Sequence, residues 1–180
     1  MHTPDTPRTG RPTIEVRNLL EPDLSEATQV LQRAFGTFLG APDPERFMTD
    51  RNYVRPRWLA DPPAAPAAIV DGELVGSNLA TRWGSVGFFG PLTVAPEHWG
   101  QNVGSRLLES TMELFLNWNT EHIGLFTFPQ SPKHIALYQK FGFWPRYLTA
   151  VMSKTASAPQ PDIAYQRYSK GCTRRPLCRA

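Results

Sequence analysis

Gly90-Pro91-Leu92-Thr93-Val94-Ala95-Pro96-Glu97-His98-Trp99-Gly100-Gln101-Asn102-Val103-Gly104-Ser105 carries an extended apolar run into a helix through a polar, glycine-containing turn. The first N–H groups of such a helix have no partner inside it, and its peptide dipoles place partial positive charge at the same end. A phosphate-bearing ligand is favoured there. Each charge-assisted hydrogen bond of this kind contributes on the order of 1.5–3 kcal/mol, so three or four hold a pyrophosphate against water. Glycines at a strand-to-helix junction also serve plain turn geometry, so the turn alone does not decide for a ligand. Two phosphate-binding patterns fail on the letters. Gly104-Ser105-Arg106 lacks the Gly-Lys-Ser/Thr of a P-loop, and Gly100 with Gly104 falls short of GxGxxG.

Outward from this stretch the chain reads as alternating helices and strands. Residues 1–12 form a flexible lead, and 13–17 alternate apolar and polar like a half-buried strand. From Asp23, apolar residues at three- and four-residue spacing predict a helix ending near Gly36, and Asp43-Pro44 opens a shorter one through Met48. Residues 55–66 carry four prolines and read as an irregular connection. Asp71-Gly72 between 67–70 and 73–76 predicts a tight hairpin. A strand over 86–94, interrupted at Gly87, Gly90 and Pro91, leads into a helix from about Gln101, with Val103, Leu107, Leu108 and Phe115 on one stripe. A strand over 122–128 follows, then a helix capped by Ser131-Pro132 that stops at Gly142. Phe143-Trp144 and 148–153 supply final extended pieces, and 155–180 read as a basic, poorly ordered tail. The order predicts one mixed α/β domain over 13–154.

Two segments make the pattern specific. Val94 to Leu108 resembles the pyrophosphate-binding segment of the GNAT superfamily of acyl-CoA N-acyltransferases. Ile135-Ala136-Leu137-Tyr138-Gln139-Lys140-Phe141-Gly142-Phe143 resembles that family's second signature, in the same order and at about the same separation. The resemblance covers residues 13–154 and implies a mostly antiparallel sheet with helices on both faces. It also implies that this sheet is splayed open between its fourth strand, ending at Val94, and its fifth, beginning at His122. The donor implied is acetyl-CoA, with its pantetheine arm in the gap, paired to main-chain groups of Leu92, Thr93 and Val94. Its pyrophosphate would lie on the turn and helix start formed by Trp99, Gly100, Gln101, Asn102, Val103, Gly104 and Ser105. Trp99 stands where the family has Arg or Gln, and Asn102 where it has Gly. Asn tolerates left-handed backbone better than other side chains, so the loop can keep its shape.

The activity implied is transfer of an acetyl or other short acyl group to a primary amine of a small molecule or peptide, by direct attack in a ternary complex. The alternative is a catalytically silent acyl-CoA-binding sensor or interaction domain. Tyr138 matches the family tyrosine near the thioester sulfur, where a phenol protonates the departing thiolate; judged from its neighbours alone it reads first as a packing residue beside Leu137 and Phe141. An amine attacks only when neutral, so a base is expected. Glu73, Glu97, His98, His122 and His134 qualify by type, and their spacing singles out none. Trp83, Phe88, Phe89, Phe126, Phe128 and Trp144 flank the implied cleft. If two or three of them face it, they favour an acceptor with an apolar or aromatic body.

Composition narrows the classes. With 41% apolar and 19% charged residues among 180, the chain matches a soluble globular average. The net charge of +3 is dominated by Arg167, Lys170, Arg174, Arg175 and Arg179 near the C-terminus. No basic face with interleaved aromatics points to nucleic acid. Cys172 and Cys178 lack zinc-ligand spacing, so no metal is expected. With neither an apolar leader nor a spanning segment, the expectation is a cytoplasmic protein, off the membrane, and compatible with a homodimer.

Overall fold

A computed structural model of the chain describes residues 13–146. β1 (Ile14–Asn18) leads through a 3₁₀ turn into α1 (Leu24–Leu39), then α2 (Val54–Ala60), β2 (Pro66–Val70), β3 (Glu73–Ser77), β4 (Ala80–Trp83), β5 (Val86–Phe89) and β6 (Thr93–Val94). α3 (Val103–Asn117), β7 (His122–Gly124) and α4 (Pro132–Gln139) follow. One sheet has the order β1-β2-β3-β6, antiparallel throughout; the other has the order β4-β5-β7, with β5 and β7 parallel.

Alternation on β2 separates the two helical layers. Ala67 and Ile69 join a core with Val30 and Leu31 of α1, while Ala68 and Val70 join another with Val103 and Leu107 of α3. Successive strand residues point to opposite faces, so α1 and α3 cover opposite sides of the first sheet. The β2–β3 turn is the predicted one: Asp71 (φ 51°) and Gly72 (φ 87°) both take the positive φ of a type I′ hairpin.

The two sheets share a single long hairpin. Ser77 pairs with Thr93 and Ala80 with Phe89, three steps along one strand against four along the other. The extra residue falls at Gly90-Pro91, a bulge that redirects the second half of the hairpin. The buried Asn78 satisfies the break: its Oδ1 accepts from the Leu79 N–H at 3.0 Å and its Nδ2 donates to Thr111 Oγ1 of α3 at 2.9 Å. β7 follows β5 only as far as Phe88–Gly124. Among the described residues nothing pairs with the far edge of β6, and a wedge opens between Leu92–Val94 and residues 125–128.

Several sequence expectations change. α1 runs one turn past Gly36 and ends at Gly40, which takes the left-handed conformation at φ 70°. Gly36 is required instead by close approach, since a Cβ there would stand 2.6 Å from Pro44 Cα. Pro44–Arg46 is a single 3₁₀ turn without a side-chain cap. Residues 54–60 are helical despite Pro56, because a proline in the first turn forfeits no intrahelical bond. The strand expected over 86–94 is two pieces in two sheets, and that over 122–128 shortens to three residues. Phe143 and Trp144 form no strand. The lead at 1–12, the extended piece at 148–153 and the tail at 155–180 lie outside the described residues.

Candidate active site

The wedge has three walls. β6 supplies the first, with Leu92 half-buried at its entrance and the Thr93 side chain turned into the core beside Ser77. Thr93 and Val94 pair with β3 along one edge, which leaves the other edge toward the wedge. The Val94 carbonyl accepts from the Trp99 indole N–H at 2.7 Å. Trp99 therefore pins the start of the turn, and one main-chain acceptor expected to serve a ligand is already engaged; the ring itself stays 44% exposed.

The second wall is the amino end of α3. Gly100 (φ 77°) and Asn102 (φ 70°, ψ 7°) both sit in left-handed backbone, so the Asn for Gly departure keeps the turn. No side chain caps the helix, and its first turn closes only with the Arg106 N–H on the Asn102 carbonyl at 3.2 Å. The N–H groups of Val103, Gly104 and Ser105 are the uncompensated donors of that end. Val103 is buried as a whole residue, whereas Gly104 and Ser105 are half-buried. Gln101 has its N–H on the His98 carbonyl at 3.4 Å and its side-chain amide on the Glu97 carbonyl at 2.9 Å. This donor set fits a pyrophosphate.

α4 is the third wall, and the Ser131 hydroxyl caps it by accepting from the His134 N–H at 3.4 Å. Leu137 points at the start of α3: a Cβ on Gly104 would lie 3.4 Å from its Cδ2. Tyr138 packs on Phe89 with ring centroids 6.0 Å apart. Burial pushes its phenol up to about 12, and the neighbouring Thr127 side chain partly opposes the shift. Tyr138 is thus a protonated donor at neutral pH, on the helix wall facing residues 125–128.

Of the five candidate bases, only His134 lies beside Tyr138, one turn earlier on the same helix face. Its Nδ1 is buried without a partner, and burial holds the imidazole below its usual range, hence neutral. Glu97 is ion-paired to Arg33 of α1 at 3.0 Å; its own main-chain N–H and that guanidinium keep its carboxyl low. Glu73 and His122 are exposed at strand starts. His98 sits in the 3₁₀ turn before Trp99 with Nδ1 buried and unpartnered. Two residues that sequence reasoning passed over are Thr127 and Phe38. Thr127 carries no motif, and Phe38 lies past the helix end expected near Gly36.

A family model described as Acetyltransferase (GNAT) family matches residues 24–143. The chain belongs to the GNAT acetyltransferase family. No protein of curated function matches the sequence. Solved structures similar to this GNAT chain include a Pyrococcus horikoshii protein (22% identity, 77% of this chain and 93% of that one, TM-score 0.65). Another is PaiA N-acetyltransferase from Thermoplasma acidophilum in complex with coenzyme A (18%, 72% and 88%, TM-score 0.61). A third is a GNAT family acetyltransferase from Brucella melitensis in complex with acetyl-CoA (18%, 74% and 84%, TM-score 0.56). At these identities the likeness is one of fold. Among the described residues of this GNAT domain, no helix is long and apolar enough to cross a membrane and no side-chain cluster suits a metal ion.

Proposed function

We propose that the protein transfers an acetyl or other short acyl group from acetyl-CoA to a primary amine, with donor and acceptor bound together. The observation that carries the reading is the pairing of two features across one wedge: an uncapped α3 terminus suited to a pyrophosphate, and a buried, protonated Tyr138 on the opposite wall. The coenzyme A and acetyl-CoA complexes of the structural neighbours support the choice of donor.

The donor brings an activated acyl thioester. The N–H groups of Val103, Gly104 and Ser105 hold its phosphates, Gly100 and Asn102 supply the turn that aims them, and the open edge of Leu92–Val94 orients the arm. Trp99 closes over the turn. Tyr138 donates its proton to the leaving sulfur. A phenol near 12 is a weak acid against an ordinary thiol near ~8.5, but the same desolvation raises the proton affinity of a thiolate formed in the wedge. The acceptor must arrive as a free amine or lose its proton on site, and His134, held neutral one turn away, is the nearest proton acceptor among the five candidates.

Thiol release measured against a panel of primary amines tests this directly. Tyr138→Phe keeps the ring packing and removes the proton; kcat should fall by roughly 10²-fold or more while acetyl-CoA affinity by calorimetry stays within about twofold. Equal turnover in both proteins overturns the acid role, and no binding of CoA or acetyl-CoA at millimolar concentration overturns acyl transfer itself.

A further inference from the structure

Among the described residues, the face of the second sheet turned away from the Phe115 ring of α3 carries a strip of aromatic side chains. In β5, Gly87 faces the Phe115 ring of α3 and Phe89 is buried against the same ring, so Phe88 between them points to the opposite face. Phe88 stacks on Trp83 at 6.0 Å and meets Phe126 at 5.2 Å. Phe128, two residues on, lies 4.9 Å from Phe38 of α1, and Phe38 lies 4.8 Å from the His134 imidazole. Thr127, the side chain that perturbs the Tyr138 phenol, stands between Phe126 and Phe128 in the chain. Two aromatic groups, Trp83–Phe88–Phe126 and Phe128–Phe38–His134, therefore lie on either side of Thr127 in the chain.

The exposure of the first group is unlike that of a core. Trp83 is 64% and Phe126 74% exposed, whereas Phe89 on the α3 side is 2% exposed. Stacked, wet aromatic rings are a recognition surface for a flat apolar partner rather than packing. A polyamine or aminosugar calls for carboxylates at the site. Glu97, the acidic residue in the turn leading to α3, is engaged by Arg33, and the titratable side chain within the two groups is a neutral imidazole.

We propose that the acceptor is a primary amine carried on an aromatic body, which packs on the group formed by Trp83, Phe88 and Phe126 and presents its nitrogen toward Thr127 and Tyr138. This rests on the acyl-transfer reading and adds the substrate class. The strip binds the ring face to face or edge to face, and the short chain between ring and nitrogen spans to the wedge. The amine nitrogen then forms a bond to the acyl carbon as the carbon–sulfur bond breaks; the amine proton leaves to His134 or water, and the sulfur takes the Tyr138 proton.

The test compares 2-phenylethylamine and tryptamine with butylamine and spermidine as acceptors, and with a short peptide bearing an amino-terminal Phe to separate small amines from peptides. For the aryl amines kcat/KM should exceed that for butylamine by at least about tenfold, of the size that one filled apolar subsite supplies. Phe126→Ala and Trp83→Ala, both on exposed side chains that the fold tolerates losing, should each cut that preference by about fivefold or more through KM, with acetyl-CoA affinity by calorimetry unchanged. Equal rates across the panel, or a preference for spermidine, overturn the aromatic acceptor and leave acyl transfer standing. A protein that binds acetyl-CoA yet neither acetylates the aryl amines nor binds them in calorimetry with CoA present overturns it as well. Absence of CoA binding instead strikes the underlying reading.

Discussion

At the scale of single residues, environment rather than identity sets the chemistry. Tyr138 is an ordinary phenol made a proton reservoir by burial, and its shift carries a pH signature. The folded form holds the proton up to about 12 while the unfolded chain loses it near 10, so this group's contribution to stability is intact below pH 10 and is lost as pH rises through 12. The chain has five tyrosines, and at pH 11 one should remain un-ionised by ultraviolet absorbance in the folded wild type but not in 8 M urea. Tyr138→Phe should remove the difference. Asn102 works by backbone tolerance. At φ 70° a β-branched side chain is strained by about 1–2 kcal/mol, so Asn102→Val should lower stability by that amount and weaken CoA binding, while Asn102→Gly should do neither by more than a few tenths of a kcal/mol. Chemical denaturation of the three proteins checks this.

At the scale of elements, the helices follow from their apolar stripes, and their ends follow from contacts those stripes do not report. The burial of Leu24, Ala27, Val30, Leu31 and Ala34 is what a 3.6-residue period predicts for α1. Its continuation past Gly36 is not, because a glycine reads as a terminator unless one knows that Pro44 lies against it. Gly36→Ala puts a Cβ 2.6 Å from Pro44 Cα and 2.7 Å from Pro44 O, both main-chain atoms that can move only by displacing the turn. Overpacking of this kind should cost about 1–3 kcal/mol, despite alanine's better helix propensity, and lower the melting temperature by roughly 2–12 °C. A rise in melting temperature would show that the turn yields freely. The α4 cap was readable because Ser-Pro is a local signal. The bulge at Gly90-Pro91 was readable only as a weakness in a strand; that it hands the chain from one sheet to another depends on the pairing with residues 77–80.

For the whole molecule, the wedge is the consequence of that one extra residue. Among the described residues the first sheet carries β6 with its far edge unpaired, and the second carries β5 and β7 away from it. A ligand filling the space between them binds the folded chain alone and must stabilise it. At a concentration 100 times its dissociation constant, acetyl-CoA should add about 2.7 kcal/mol and raise the melting temperature by roughly 5–11 °C. The same experiment with inorganic phosphate should give little, because a single anion engages the α3 terminus without spanning the wedge. Equal shifts for the two would place recognition at the helix terminus alone.

The letters of the chain determined the family, the hairpin at Asp71-Gly72, the three principal helices and the left-handed turn before α3, since each rests on interactions within a few residues or on the period of an apolar stripe. They also placed Tyr138 in a signature without saying what surrounds it. Only the tertiary structure set His134 apart from the four other candidate bases, brought Thr127 beside the phenol, spent the Trp99 indole on Val94, and set Phe88 against Phe126 and Phe38 against Phe128. Those outcomes come from residues far apart in the chain, and which of them meet is decided by how the sheets part and where α1 and α4 close over the opening.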